Sequence, residues 1–299
     1  MTQTNRYALG SDIGGSHICS AVVDLLSGGL CSEPVPTPVD SSAGAVEILD
    51  AWAGNLRQAA SASGVPVTRA GMAFPGPFDY ARGVSLIRGV RKFDRIYGLD
   101  VAASLGVRLA GSGICEFRFL NDASAFALGE CLGGAAQDAE RAVALTLGTG
   151  VGSGFVAGRR LVDTGDEVPA HGWVYSLPFD GGIADDAFST RWICRRYREL
   201  TGREVAGARE VAARYDTDPA ARRLFDEYGE RLARFAGPLL ARFRSRVLLL
   251  GGNIARAWPL FGPALERRLA ADGSPAGVRT SQLLDRAALV GAASLFLSE

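Results

Sequence analysis

Four short segments hold the residues whose types and spacing could do chemistry. They are Asp12-Ile13-Gly14-Gly15-Ser16, Leu120-Asn121-Asp122, Leu147-Gly148-Thr149-Gly150-Val151-Gly152-Ser153-Gly154 and Leu250-Gly251-Gly252-Asn253. Each glycine cluster sits where an apolar, strand-like run stops, so backbone N–H groups there can approach phosphate oxygens unobstructed. Asp12, directly before Gly-Gly, suits a Mg²⁺ held through water, with the amides of Gly14, Gly15 and Ser16 toward the oxygens. Taken alone, the same turn is a tight hairpin. Glycine at every second position from Gly148 to Gly154 weakens a strand-turn-strand by about 0.5–1 kcal/mol each, which is tolerated where a ligand comes against the backbone. It is no dinucleotide fingerprint, because Ser153 and Phe155 stand where G-x-G-x-x-G would need its last glycine. Asn121-Asp122 is either a helix cap or the seat of a carboxylate that accepts a hydroxyl proton, an effect of about 10²–10⁴-fold. Gly251-Gly252-Asn253 is either a helix start or a flat surface beneath an adenine ring. Two phosphate turns flanking an aspartate give a kinase-like arrangement.

The elements that position these residues follow from the apolar pattern. Strands are predicted at 7–13 and 18–25, with a third extended stretch near 30–35. A helix is predicted over 43–62, and a buried strand over 69–74 that stops at Pro75-Gly76-Pro77. A strand over 116–120 leads to Asp122 as N-cap of a helix over 123–131. The organisation then repeats, with strands at 142–147 and 154–157 around the second glycine turn. The tract 163–185 is predicted to be a long functional loop. Helices are expected at 187–201, 206–215 and 219–244, a strand at 246–250, and helices at 254–269 and 286–297. Strand, glycine hairpin, strand and helices, twice over, predict two related α/β halves.

Bulk properties narrow the class. With 299 residues, 47% of them hydrophobic, the chain suits two domains. Acidic and basic residues balance at 32 each, which argues against nucleic acid as a partner, and Lys92 is the only lysine. No apolar run reaches the roughly 20 residues of a membrane span, and no signal peptide is read before the first strand. A cytoplasmic protein is expected. The five cysteines lack C-x-x-C spacing and read as small buried hydrophobes of a reducing compartment. His17 is expected to be structural within the first hairpin. His171, in Pro169-Ala170-His171-Gly172-Trp173, is a candidate substrate contact. Asp185-Asp186 could simply open the next helix.

The ordered set DIGGS, LNDASAFALGE, LGTGVGSGF and LLLGGN resembles the ROK family of sugar kinases and related repressors, and Phe74-Pro75-Gly76-Pro77-Phe78-Asp79 is similar to that family's PGP-x-D segment. The resemblance implies an α/β, two-domain actin-like (ribonuclease H-like) ATPase fold with an interdomain cleft. It divides the chain into 1–121, joined by a last helix at about 285–299, and a larger domain at 122–284. It implies ATP and Mg²⁺ as cofactors, the metal near Asp12. Asp122 would be the base acting on a sugar hydroxyl, usually the 6-hydroxyl. Asp12 to Ser16 and Gly148, Thr149, Gly150 and Gly152 would hold phosphates, with Gly251, Gly252 and Asn253 near the adenosine. Gly76, Asn121, Asp122, His171, Gly172, Trp173 and Asp185 would line the sugar, and a homodimer is the family habit.

The substrate tract departs from the family pattern. The zinc loop is missing, so zinc is not expected. Trp173 stands for the first sugar-binding glutamate and Asp185 for the second. Arg88-Gly89-Val90-Arg91-Lys92 replaces the usual asparagine. A hexose or amino-hexose follows, an ammonium pairing with Asp185 or Asp186. The competing readings are a sugar-responsive regulator of the same family and a non-catalytic sugar- or ATP-binding protein.

Overall fold

In a computed structural model, which describes residues 6–89 and 92–297, the chain divides into two units. Val90 and Arg91, from the segment that replaces the family's asparagine, lie outside the described residues.

The first unit starts with the antiparallel meander β1 (Tyr7–Ile13), β2 (His17–Asp24) and β3 (Val35–Pro38). Helix α1 (Ala45–Ser63) then places Ile48, Leu49, Trp52, Ala53, Leu56 and Ala59 on one buried stripe. Each large member of that stripe contributes about 1.5–3 kcal/mol by leaving water. β4 (Arg69–Phe74) is buried at every position, as a central parallel strand should be. The short hairpin β5 (Phe78–Asp79) and β6 (Val84–Ser85) and helix α2 (Val101–Arg108) precede β7 (Glu116–Asn121), which runs directly into α3 (Asp122–Gly133). The sheet order is β3-β2-β1-β4-β7, with β1, β4 and β7 parallel.

The second unit repeats this topology. β8 (Arg141–Leu147), β9 (Val151–Ala157) and β10 (Arg160–Leu161) form the meander. A hairpin of β11 (Pro178–Phe179) and β12 (Gly182–Ile183) and the helices α4 (Ala184–Phe188), α5 (Thr190–Thr201), α6 (Ala208–Ala212) and α7 (Pro219–Arg242) follow. β13 (Val247–Gly251), α8 (Trp258–Ala271) and β14 (Gly277–Thr280) complete the order β10-β9-β8-β13-β14. Strand for strand this is the first sheet again, and the two related halves expected from the sequence are present.

The last helix, α9 (Ala287–Ala293), packs on α3, β1 and β4 of the first unit. Glycine allows the approach: a Cβ on Gly10 or Gly71 would overlap a carbonyl of α9, and Gly129 and Gly291 let α3 and α9 touch backbone to backbone.

Several boundaries differ from expectation. The units divide after Gly134, so α3 belongs to the first, because its apolar length packs on α9. The third strand lies later, at Val35–Pro38, with only a bridge at Leu30. α2 and β14 were not expected from the sequence; β14 is an edge strand without a buried run. Gly152 and Gly154 lie inside β9, which leaves Gly148, Thr149 and Gly150 as the turn.

Gly71→Val, which drives a side chain into the Ala292 carbonyl, should cost about 3 kcal/mol or abolish folding. Gly106→Ala, on α2 with nothing near its Cβ, should stabilise by about 0.5–1 kcal/mol. Urea titration of both variants checks the pair, and equal effects would contradict this packing of α9.

Candidate active site

In the first unit the functional residues collect at the carboxyl ends of the parallel strands, where α/β sheets expose their turns. Asp12 on β1 is level with Ala73 on β4, and Ala73 with Leu120 on β7. Asp12, Pro75-Gly76 and Asn121-Asp122 therefore share one sheet edge. Gly14 N–H donates to His17 O at 2.9 Å and closes the β1–β2 turn. The next two amides, of Gly15 and Ser16, have no acceptor among the described residues. His17 opens β2, exposed, its Nδ1 3.3 Å from Ser16 Oγ.

Asn121, not Asp122, is the N-cap of α3: its Oδ1 accepts from Ala123 N–H at 3.0 Å and from Ser124 N–H at 3.4 Å. Sequence could not separate the two, since both side chains present an oxygen at the right place. The cap is held from outside by Tyr80, whose hydroxyl lies 3.3 Å from Asn121 Nδ2 and donates to Phe74 O at 3.0 Å. Tyr80 is a site residue without a cue in the sequence, apart from its place four residues after Gly76. Asp122 is thereby freed from capping and becomes the first helical residue. It is open to solvent on one side while protein mass packs around its carboxyl. That desolvation raises its pKa, opposed by hydrogen bonds from the Ala123 amide and the Asn121 side chain.

Asp12 is half-buried, and its pKa is pushed up to about 7 by desolvation and then by the charges of Asp122 and Asp285. Asp285, just before α9, is a second residue that sequence reading passed over. The charges of Asp122 and Asp285 thus raise the cost of ionising Asp12. Among the described residues no group of three or more His, Cys, Asp or Glu side chains could hold a metal alone.

In the second unit the glycine hairpin uses the same device. Gly148 N–H donates to Gly150 O at 3.0 Å, and the amides of Thr149 and Gly150 have no acceptor among the described residues. Gly251 is level with Thr146 on β8. Gly252, at φ 82, lies so flat on Leu147 that a Cβ would run into its backbone. The predicted adenosine segment thus adjoins the phosphate turn. Asn253 opens the 3₁₀ turn Ile254–Ala257 without a side-chain cap bond and stays exposed.

Asp185 lies against the glycine turn. Its Oδ1 accepts from Val151 N–H at 2.8 Å, and its Oδ2 pairs with Arg191 at 2.5 Å. Arg191 also donates to Thr149 O at 3.1 Å, and Thr190 Oγ donates to Gly148 O at 3.0 Å. Asp185, expected to line the sugar, thus has both carboxylate oxygens engaged, one by the turn backbone and one by Arg191. Asp185 on α4 and Arg191 on α5 meet across the break at Ser189, a pairing that their spacing in the sequence did not signal. Buried Ser153 ties the substrate loop to β9, donating to Gly172 O at 2.6 Å and accepting from Val174 N–H at 3.1 Å. The loop presents His171, Trp173 and Tyr175 in a row, ring centroids 4.8 Å and 6.3 Å apart.

A family pattern, ROK, matches residues 8–299. The chain belongs to the ROK family. An N-acetyl-D-glucosamine kinase of Histophilus somni is 26% identical over 97% of this chain and 98% of its own. A ROK hexokinase of Thermus thermophilus superposes with TM-score 0.75 and 26% identity, over 96% of this chain and 97% of its own. A ROK glucokinase of Streptomyces griseus, solved with glucose and AMPPNP, superposes with TM-score 0.73 at 22% identity, over 97% and 98% of the two chains. The fold is the actin-like ATPase fold of these sugar kinases, and the enzyme class is the same: a sugar kinase, phosphorylating an alcohol. No helix among the described residues is long and apolar enough to cross a membrane.

Two outcomes follow from this geometry. Folded Asp12, its pKa pushed up to about 7, keeps its proton far above the usual aspartate value of about 3.9, so the native state binds more protons than the unfolded chain between those values. Stability of the ligand-free protein should therefore fall as pH rises through that window and level off above it. Urea titrations at pH 5 and 7.5 should show Asp12→Asn losing less than wild type by about 1–3 kcal/mol, solvent access keeping this below the full shift; identical losses would contradict the crowding. Asp185→Ala should weaken nucleotide binding about 5- to 30-fold, as about 1–2 kcal/mol of hydrogen bonding is lost, with sugar KM little changed. A rise in sugar KM alone would restore Asp185 to the sugar.

Proposed function

We propose that the chain transfers the γ-phosphoryl group of ATP, with Mg²⁺, to a hydroxyl of a hexose or amino-hexose, the 6-hydroxyl foremost. The observation that carries this is the solvent-open carboxyl of Asp122. Its pKa is raised, and Asn121 and Tyr80 fix it on the sheet edge that Asp12 and the amides of Gly15 and Ser16 occupy.

Bound Mg–ATP supplies the phosphoryl group, whose bond to the diphosphate breaks as the bond to the acceptor oxygen forms. Asp122 takes the proton that the acceptor hydroxyl gives up. Burial raises its pKa, which makes it a stronger base than an ordinary carboxylate. Asp12 holds the metal through water. The unengaged amide N–H groups of Gly15 and Ser16 donate to phosphate oxygens, those of Thr149 and Gly150 can do the same on the second unit, and Gly251, Gly252 and Asn253 receive the adenosine. AMPPNP in the Streptomyces griseus glucokinase agrees with an ATP donor.

The sugar packs a C–H face on the row of His171, Trp173 and Tyr175, with Gly172 in the same loop. With Asp185 engaged, Asp186 is the carboxylate left to meet a substrate ammonium: it is exposed and has no ion pair among the described residues. The N-acetyl-D-glucosamine kinase relative fits a sugar substituted at nitrogen.

Sugar-dependent ADP release across a panel of hexoses and amino-hexoses tests the reading. Asp122→Asn should lower kcat by about 10²–10⁴-fold. In wild type kcat/KM should fall toward acid, with an apparent pKa above the usual carboxylate value of about 4. Equal turnover by both proteins would remove Asp122 as base, and glucose as clearly the best substrate would remove the amino-sugar preference.

A further inference from the structure

Lys92 is the only lysine in a chain that otherwise uses arginine for its side-chain cations. Its ammonium lies on the first phosphate turn. A Cβ built on Gly15 would stand 2.9, 3.0 and 3.1 Å from Lys92 Cδ, Cε and Nζ, so the end of the side chain is laid across the Gly15 α-carbon. Lys92 is exposed, and no carboxylate or other side chain among the described residues pairs with it.

The backbone that aims it is anchored. Phe93, the next residue, is fully buried at φ 56, a left-handed conformation that costs a bulky side chain about 1–2 kcal/mol. Strain of that size persists only where packing over-determines the residue. Here the Phe93 ring meets Trp52 at 5.5 Å and Phe74 at 6.0 Å, and its N–H donates to Ser41 O at 2.8 Å. Phe74 itself ends β4, immediately before Pro75-Gly76. The aromatic core under the sheet edge thus fixes the residue that sets where Lys92 projects.

We propose that Lys92 is a cationic contact of the phosphoryl group in transit, donating from Nζ to its oxygens above the Gly15 and Ser16 amides. A negatively charged group brought to this edge meets Asp12, Asp122 and Asp285, and a positioned ammonium offsets that repulsion. A compact ammonium with three rotatable donors follows moving oxygens better than the planar fork of arginine. The benefit is greatest where charge redistributes in the transition state, so it is expressed mainly in kcat.

The inference rests on the kinase reading above, and its test is separable from it. Reductive methylation of the ε-amine, mapped by mass spectrometry to the peptide containing residue 92, needs no turnover. Mg–AMPPNP should slow that methylation at least about fivefold, as an engaged ammonium loses its free amine fraction, and sugar alone should not. Lys92→Met, which keeps the methylenes on Gly15, should lower kcat about 10- to 10³-fold with sugar KM changed by less than about threefold, and Lys92→Arg should recover part of the loss. Absence of protection by Mg–AMPPNP, protection by sugar alone, or wild-type kcat in Lys92→Met would each overturn the contact. Protection without sugar-dependent ADP release would strike the kinase reading and sustain the contact; turnover without protection would strike the contact alone.

Discussion

Repulsion of the Asp12 charge by Asp122 and Asp285 is the constraint around which the first unit is arranged. Asp12 ends β1, Asp122 opens α3 and Asp285 precedes α9, and the three meet electrostatically at one edge of the sheet. Their places depend on long-range packing: Gly10 and Gly71 let α9 lie on the strands, and Gly129 lets α3 lie on α9. The protein holds like charges together at a cost, which is the condition under which a carboxylate keeps its proton toward neutrality and a cation binds with advantage. The same helix packing that builds the core therefore sets the chemistry of the edge.

Both units solve the problem of gripping phosphate with one local device. In each meander the first glycine of the turn spends its N–H on closing the hairpin, and the next two amides are left unengaged. Two adjacent donors without acceptors are unfavourable if buried and useful if offered to an anion. The second unit adds a strut: Asp185 and Arg191 clamp the turn from outside, and Ser153 carries the substrate loop on the returning strand. The aromatic row is then positioned by the strand that bears the phosphate turn.

Much of this was legible in the residues. β1 and β4 fall on their expected bounds, because an uninterrupted apolar run bounded by glycine or proline has few alternative readings. The meander-and-hairpin repeat was visible as glycine clusters at the ends of apolar runs. What escaped was decided by tertiary contact. β14, at Gly277–Thr280, has no buried face and exists because β13 offers it hydrogen bonds. Asn121 rather than Asp122 caps α3 because Tyr80 holds it from another loop. Asp185 is drawn to Val151 and Arg191 by a chain path that no local pattern encodes. Lys92 stands out in the sequence as the solitary lysine, and its place over Gly15 follows only from the burial of Phe93.

The central claim, that a metal-bound nucleotide relieves the carboxylate crowding at Asp12, is tested most directly by the protons exchanged on binding. Titration calorimetry of Mg-saturated AMPPNP at pH 7, in two buffers of different ionisation enthalpy, counts them. A carboxyl with a pKa near 7 is about half protonated at that pH, so wild type should release roughly half a proton more than Asp12→Asn. Equal release by the two proteins would contradict the claim.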